Sequence, residues 1–503
     1  MKNREHGSWW WWAVVVVALV GAVGRIWQTR ESFWVDELHT AWCVAGSLAD
    51  VAERAAIGNQ SPLFFWVEWL MVRWLRPSEF SLRLLSVAAG SLLPLALFEV
   101  GRRWTGSAWV GFVAAALVVV DPLAIFFATE ARPYALVQLL AVLHVWAFAE
   151  MLRQPTRWLR MTFVGGAVAL FYLHYTAGLL LAAEVVVWGM LTVFQRDRAT
   201  YRWTWLVMDG GMIAVLCLPA SAQLVAIFQQ RENWAGFIHQ RPLWELFAVL
   251  PWSAAAVLVF AGFAFRKVSA RVGTSEHMLA LCWLLIPLAI AWVLTAADAA
   301  RILFPRYLAA SAPAAIMLAA MCVNFAPWRW ARFSLGAMLI MVAMWTSGIA
   351  EQWREDGRMI GDRSEDWRGA VAWLNERLTA DKYPVFVASG LIEADGLTRD
   401  HDRLLEEYCL LPVTSLYRLQ IGRENLEPLA YRQPSNLRPE ALALLESRGG
   451  AWVIARGRHA AEFKSRETGK NKSEPTATDW HVGESRMFGS IYVARLFVVP
   501  AKE

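Results

Sequence analysis

The stretch FWVDELHTAW, residues 33–42, sets Asp36 and Glu37 side by side between Trp34 and Trp42, just after a long apolar run. A positioned carboxylate can take the proton from an attacking hydroxyl group, so an acid pair of this kind could serve as a general base. Neighbouring residues on a helix point about 100° apart, so the two carboxylates would not grip one atom. One would face a substrate and the other would hold local structure. The plainer alternative is a solvated acid cluster at a helix start, where the helix dipole favours negative charge.

Three other stretches carry matching chemistry. ATEARPYAL, residues 128–136, holds Glu130, Arg132 and Tyr134. Ionisable groups at membrane depth are costly unless they pair or act, which leaves an ion pair or a binding site as the readings. Pro133 disfavours a continuous helix there and so exposes backbone to a cavity or to solvent. FYLHYTAG, residues 171–178, offers His174 and Tyr175 as substrate contacts or as structural hydrogen-bonders. ARILFPRYLAA, residues 300–310, places Arg301, Arg306 and Tyr307 together. A guanidinium holds a phosphate through two parallel hydrogen bonds. Its competing use is a snorkelling contact with lipid headgroups.

These residues need a membrane to sit in. The chain is 57% hydrophobic with 30 Trp, which excludes an ordinary soluble domain. Apolar segments at 9–26, 82–100, 109–127, 135–152, 161–175, 177–194, 203–227, 243–265, 278–296, 307–323 and 333–349 predict about eleven spans. The apolar stretch 161–194 is too long for one helix and is divided at His174, Tyr175 and Thr176. The first segment reads as a retained anchor rather than a cleaved signal.

Basic residues fall in alternate connections: Arg102 and Arg103, then Arg153, Arg157 and Arg160, then Arg196, Arg198 and Arg202, then Arg266, Lys267 and Arg271, then Arg329 and Arg332. By the positive-inside rule these are cytoplasmic, as is the N-terminus. The acid pair, Arg132, His174, Arg301 and Arg306 then lie on the outer face. The first outer loop, 28–81, is rich in Trp and suits helices lying on the membrane.

The expected organisation is a membrane domain over 1–350 and a small extracytoplasmic α/β domain over 351–503, entered by a charged linker at 351–366. DWRGAVAWLNERL reads as a helix; YPVFVAS, GAWVIARG and GSIYVARLFVVP read as strands. The polar run KSRETGKNKSEPTATDW reads as a loop. Five cysteines form no disulfide framework or CxxC metal motif. The net charge of +5 comes mainly from cytoplasmic arginines, so no nucleic-acid partner is implied.

The ordered set WVDELHTAW, NQSPLFFWVEWL, FSLRLLSVAAGSLLPLALFEVGRRWTG, DPLAIFFATEARPYAL, FYLHYTAG and PRYLAASAP resembles the bacterial polytopic glycosyltransferases of the GT-C superfamily. These are relatives of protein O-mannosyltransferases and of the aminoarabinose transferases that modify lipid A. The resemblance implies a polytopic α-helical membrane protein that transfers a sugar, with inversion, from a polyprenyl-phosphate carrier to an acceptor on the outer face. It assigns Asp36 as the catalytic base, with Glu37 its neighbour, and puts the family's arginine between the third and fourth spans at Arg132. One departure is Ser61-Pro62, where the family commonly has two prolines.

With Asp36, Glu37 and Glu130 as the obvious outer acids, no metal or other cofactor is expected at the catalytic centre. The expected partners are the lipid-linked sugar, membrane lipid and an acceptor that is a protein, a lipid or a glycan. A transporter or flippase of lipid-linked sugar is the alternative, with Asp209 and Glu184 as an ion relay. It predicts an inverted internal repeat, and the sequence shows none.

Overall fold

The computed structural model describes residues 8–194, 201–234, 238, 242–255, 257, 274–379, 383–397, 402–432, 434–435, 437, 439–467 and 480–498. Arg196, Arg198, Arg266, Lys267, Arg271, the last part of the expected span 243–265 and most of the polar run in the tail lie outside them. By contacts the chain divides into two units. The first comprises Met1–Thr29, Asn59–Phe64 and Arg83–Gly361; the second comprises Arg30–Gly58, Phe65–Leu82 and Asp362–Glu503. The part of the chain read as the first outer loop thus groups largely with the tail.

The first unit is helical. Its opening elements are α1 (Ser8–Gln28), followed after the first loop by α5 (Glu79–Thr105), α6 (Ala108–Val119), α7 (Pro122–Ala128), α8 (Tyr134–Arg153), α9 (Arg157–Leu173) and α10 (Leu179–Phe194). Between them in the chain lie α2 (Val35–Ala45), α3 (Leu48–Ile57) and α4 (Leu63–Trp74). Among the described residues six helices are long and apolar enough to cross a membrane, or up to eight if two bent pairs each count once. One such pair is α6 with α7, bent by 65° where Asp121 caps α7 and Pro122 opens it.

The expected span 307–323 is represented by a shorter apolar helix, Ala312–Phe325, and 161–175 by the 17-residue α9. The division at His174 is present: α9 stops there and a 3₁₀ turn, Tyr175–Gly178, leads into α10.

Helix α6 carries no charge and packs against α1, Ala312–Met321 and Arg329–Thr346, which makes it central to this unit. Gly111 on α6 lets α5 come close, since a Cβ there would overlap the carbonyl oxygen of Phe98. Ion pairs occupy the ends of several spans. Arg102 and Arg103 hold Glu99, and Arg153 holds Glu150 and Glu276.

In the second unit a five-stranded sheet follows the order β2-β1-β3-β5-β4. Its strands are β1 (Val385–Ala388), β2 (Leu426–Pro428), β3 (Gly450–Arg456), β4 (Trp480–Phe488) and β5 (Ile491–Val498). β1 runs parallel to β2 and β3, while β3–β5 and β4–β5 are antiparallel. The inner strands β1 and β3 are continuous apolar runs, as strands covered on both faces must be. The helix Trp367–Leu378 begins where the sequence places it, with Asp366 accepting the amide of Gly369.

Helices α2 and α3 belong to this unit. α2 packs on α3 and on the short helix Leu411–Thr414, and α3 packs on Arg403–Cys409.

Candidate active site

Asp36 and Glu37 occupy the first turn of α2. Asp36 is half-buried and Glu37 is fully enclosed. Trp34, the residue before the helix, offers no side-chain cap; its carbonyl accepts the amides of Glu37 and Leu38, both at 3.0 Å.

One turn on, the Nε2 atom of His39 lies 3.0 Å from the Arg54 carbonyl oxygen and 3.2 Å from Cys43 Sγ. The His39 ring meets Tyr408 edge-on at 5.3 Å. Arg54 donates to the Trp42 carbonyl at 2.7 Å and lies over the Trp42 ring, fastening α3 to α2.

A second acid belongs to this neighbourhood. Both carboxyl oxygens of Glu393, in the 3₁₀ turn Ile392–Gly396, are enclosed and, among the described residues, accept no hydrogen bond from another residue. Burial, and then the charge of Asp36, push the Glu393 carboxyl up to about 7. Folded protein therefore keeps this proton well above the pH at which the unfolded chain gives it up. Stability from that source is complete at acid pH and lost as pH rises through about 7. The gap in melting temperature between Glu393→Gln and wild type is expected to shift in the variant's favour from pH 5 to pH 7.5 and then stay level. A gap that does not change with pH would refute this assignment.

In the first unit, residues from three distant stretches converge. Arg132, almost fully buried, lies in the link between α7 and α8, where its carbonyl accepts a hydrogen bond from Ser86 Oγ at 2.9 Å. The His174 ring lies between those of Tyr134, at 5.5 Å, and Tyr307, at 5.8 Å. The guanidinium groups of Arg132 and Arg306 both lie within electrostatic reach of His174. Thr176 Oγ1 donates to the Tyr307 carbonyl at 2.7 Å and sits 2.8 Å from His174 Nδ1, locking the two 3₁₀ turns Tyr175–Gly178 and Pro305–Leu308 together. Arg306 also lies over the rings of Phe304 and Tyr307.

Two guanidinium groups in an aromatic frame form a natural seat for a phosphate. Arg132, Tyr134, His174, Arg306 and Tyr307 are thus brought together. Glu130 is fully buried two residues before Arg132. Tyr175 donates instead to Gln223 at 2.5 Å, and Gln223 donates to the Gln60 carbonyl at 2.7 Å. Ser61, at the single-proline departure, donates to the Tyr172 carbonyl. Arg301 engages Asp298 at 2.8 Å and the Ile238 carbonyl.

Of the two acids considered for an ion relay, Asp209 is engaged in hydrogen bonds and Glu184 faces a histidine. Asp209 accepts two hydrogen bonds from Arg160, at 2.8 and 2.7 Å, and one from the Tyr201 hydroxyl. Glu184 lies 3.0 Å from His144 Nε2. Among the described residues no three His, Cys, Asp or Glu side chains gather as metal ligands would.

Two crystal structures of ArnT from Cupriavidus metallidurans match nearly the whole molecule. The structure bound to undecaprenyl phosphate covers 97% of this chain and 98% of its own, with a TM-score of 0.53 at 12% identity. The apo structure covers 98% of each chain, with a TM-score of 0.55 at 13% identity. The fold is that of ArnT. The expected architecture of apolar helices followed by a small α/β domain is found, in a multi-pass membrane protein. A family model described as dolichyl-phosphate-mannose-protein mannosyltransferase matches residues 59–221, which include Arg132 and His174. No curated protein matches the sequence.

The sequence reading did not single out Glu393 or Thr176. Nothing in the local pattern around Glu393 distinguishes it from a solvated acid. Thr176 was visible only as one of the polar residues that end α9.

Proposed function

We propose that the protein is a glycosyltransferase that moves a sugar from a polyprenyl-phosphate carrier to an acceptor at the extracytoplasmic face of the inner membrane. The observation that carries this reading is the end-to-end likeness to ArnT, a protein whose structure holds undecaprenyl phosphate. The match to a family of dolichyl-phosphate-mannose enzymes points to the same class of donor.

In the proposed reaction the acceptor hydroxyl attacks the anomeric carbon while Asp36 accepts its proton. The bond to the phosphate oxygen breaks on the opposite side, and the lipid phosphate leaves with the electron pair. Arg132 and Arg306 stabilise the charge that gathers on it, and the low dielectric around them strengthens that effect. Tyr134, His174 and Tyr307 frame this seat, with Glu130, Tyr175 and Arg301 as more peripheral contacts. Glu37 supports the acid helix from inside. The N-terminus is cytoplasmic in this reading and residues 351–503 are outside. No metal takes part at the catalytic centre.

A single displacement predicts inversion. Proton NMR of the product is expected to show the anomeric configuration opposite to the donor's, at a rate unchanged by a chelator of divalent cations. Retained configuration would exclude the direct displacement, and loss of activity in chelator would exclude the metal-free form.

A further inference from the structure

The C-terminal segment holds the backbone on which Asp36 stands. Glu365 Oε2 accepts the amide of Val35, the first residue of α2, at 3.1 Å. The same carboxylate is gripped from its own side by Arg456 Nε and Nη2, both at 2.7 Å from Oε1, and by the Trp367 indole at 3.0 Å from Oε2. Its side chain is only 7% exposed, so these charge-assisted bonds are shielded from water.

Two residues earlier, the Phe33 amide donates to the Tyr417 hydroxyl at 2.9 Å. That hydroxyl donates in turn to Glu79 Oε1 at 3.0 Å. The chain entering α2 is thus held at both Phe33 and Val35, and Asp36 is the next residue.

The anchor is stiff. Arg456 ends β3, and Glu365 forms a β-bridge with Gly489 in the turn joining β4 to β5. Gly489 adopts φ 61°, and a Cβ there would overlap the Ser364 carbonyl, so the turn closes tightly on the residue before Glu365. A rigid sheet therefore connects through one carboxylate to the first amide of the acid helix. Trp34 provides no side-chain cap, which leaves Glu365 to supply a cap from far along the chain.

We propose that Glu365 and Tyr417 are positioning residues for Asp36, so that the C-terminal domain completes the catalytic centre by fixing the first turn of α2. This rests on the transferase reading for its kinetic consequence but not for its structural one. A misplacement of about 1 Å at a reacting group can cost about 100-fold in rate. The segment 351–366, which reads in sequence as a charged linker, would then be part of the machinery.

The test uses full-length protein in lipid nanodiscs, with Glu365→Ala, Glu365→Gln and Tyr417→Phe beside wild type. Hydrogen exchange followed by mass spectrometry is expected to show faster exchange for peptides covering 33–38 in Glu365→Ala and Tyr417→Phe, with the C-terminal turn of α2 unchanged. Glu365→Gln keeps an acceptor oxygen and is expected to restore protection.

With polyprenyl-phosphate mannose or another donor that wild type consumes, Glu365→Ala should lower kcat by about 10- to 100-fold with KM within about twofold. Glu365→Gln should recover most of that loss. Should Glu365→Ala fail to fold, the other two variants carry the comparison. Unchanged exchange over 33–38 would overturn the anchoring. Faster exchange with unchanged kcat would overturn its role in positioning Asp36. Wild type that consumes no donor would count against the transferase reading, while the exchange result would still decide the anchoring.

Discussion

Asp36→Asn is expected to lower sugar transfer by about 10²–10⁴-fold while the protein keeps its fold and its affinity for the lipid carrier. Asn has nearly the same shape as Asp but cannot accept the acceptor's proton. Asp36 is half-buried at the N-terminal turn of α2, so the neutral amide leaves no unpaired charge behind, and helix α2 keeps its packing on α3. Because proton removal belongs to the transition state, the loss should fall on kcat rather than on KM. Glu37→Gln is the matched control. Its side chain is fully enclosed, so its effect should appear in melting temperature before it appears in kcat. Equal kcat losses at the two positions, with no difference in stability, would contradict the assignment of Asp36 as the base.

Arg132→Ala is expected to cost about 10²–10³-fold in kcat/KM, since in the proposed reaction this buried cation faces the charge that develops on the leaving phosphate. Arg132→Lys should recover only part of this, because an ammonium cannot make the paired, planar contact of a guanidinium. Arg306→Ala should behave alike but more mildly, since Arg306 is the less buried of the two. The comparison of interest is Arg301→Ala. Arg301 is already engaged with Asp298, so its loss should cost less than that of either other arginine. A loss at Arg301 larger than at Arg132 would move the phosphate seat to the other end of the 300–310 stretch. Steady-state kinetics with a single consumed donor measure all four variants.

Much of the fold follows from patterns that local sequence carries. The break at His174 was legible because three polar residues interrupt an apolar stretch longer than one span. β1, β3 and β5 were legible as Val-rich runs, whereas β4 was not. Its sequence, WHVGESRMF, is largely exposed and polar and becomes a strand by pairing with β5. β2 is three residues long and has no periodicity to read.

For the candidate site, residue types were legible and meetings were not. Arg132, His174 and Arg306 each stand out as polar groups at the ends of apolar segments, but their convergence depends on helix packing. Glu365 shows the limit most clearly. It lies 330 residues from the amide that it accepts, inside a stretch whose charge density reads as linker. Only the turn at Gly489 and the position of Arg456 make it a cap.

In the proposed reaction the lipid-linked donor is consumed by transfer. The most direct test presents purified protein, in lipid, with a panel of radiolabelled polyprenyl-phosphate sugars and a membrane extract as acceptor source, and measures release of free polyprenyl phosphate for wild type and Asp36→Asn. Wild type is expected to release polyprenyl phosphate from one donor and pass its label to the extract, and the folded variant to do neither. Donor that stays intact but changes leaflet would exclude transfer and establish a transporter instead.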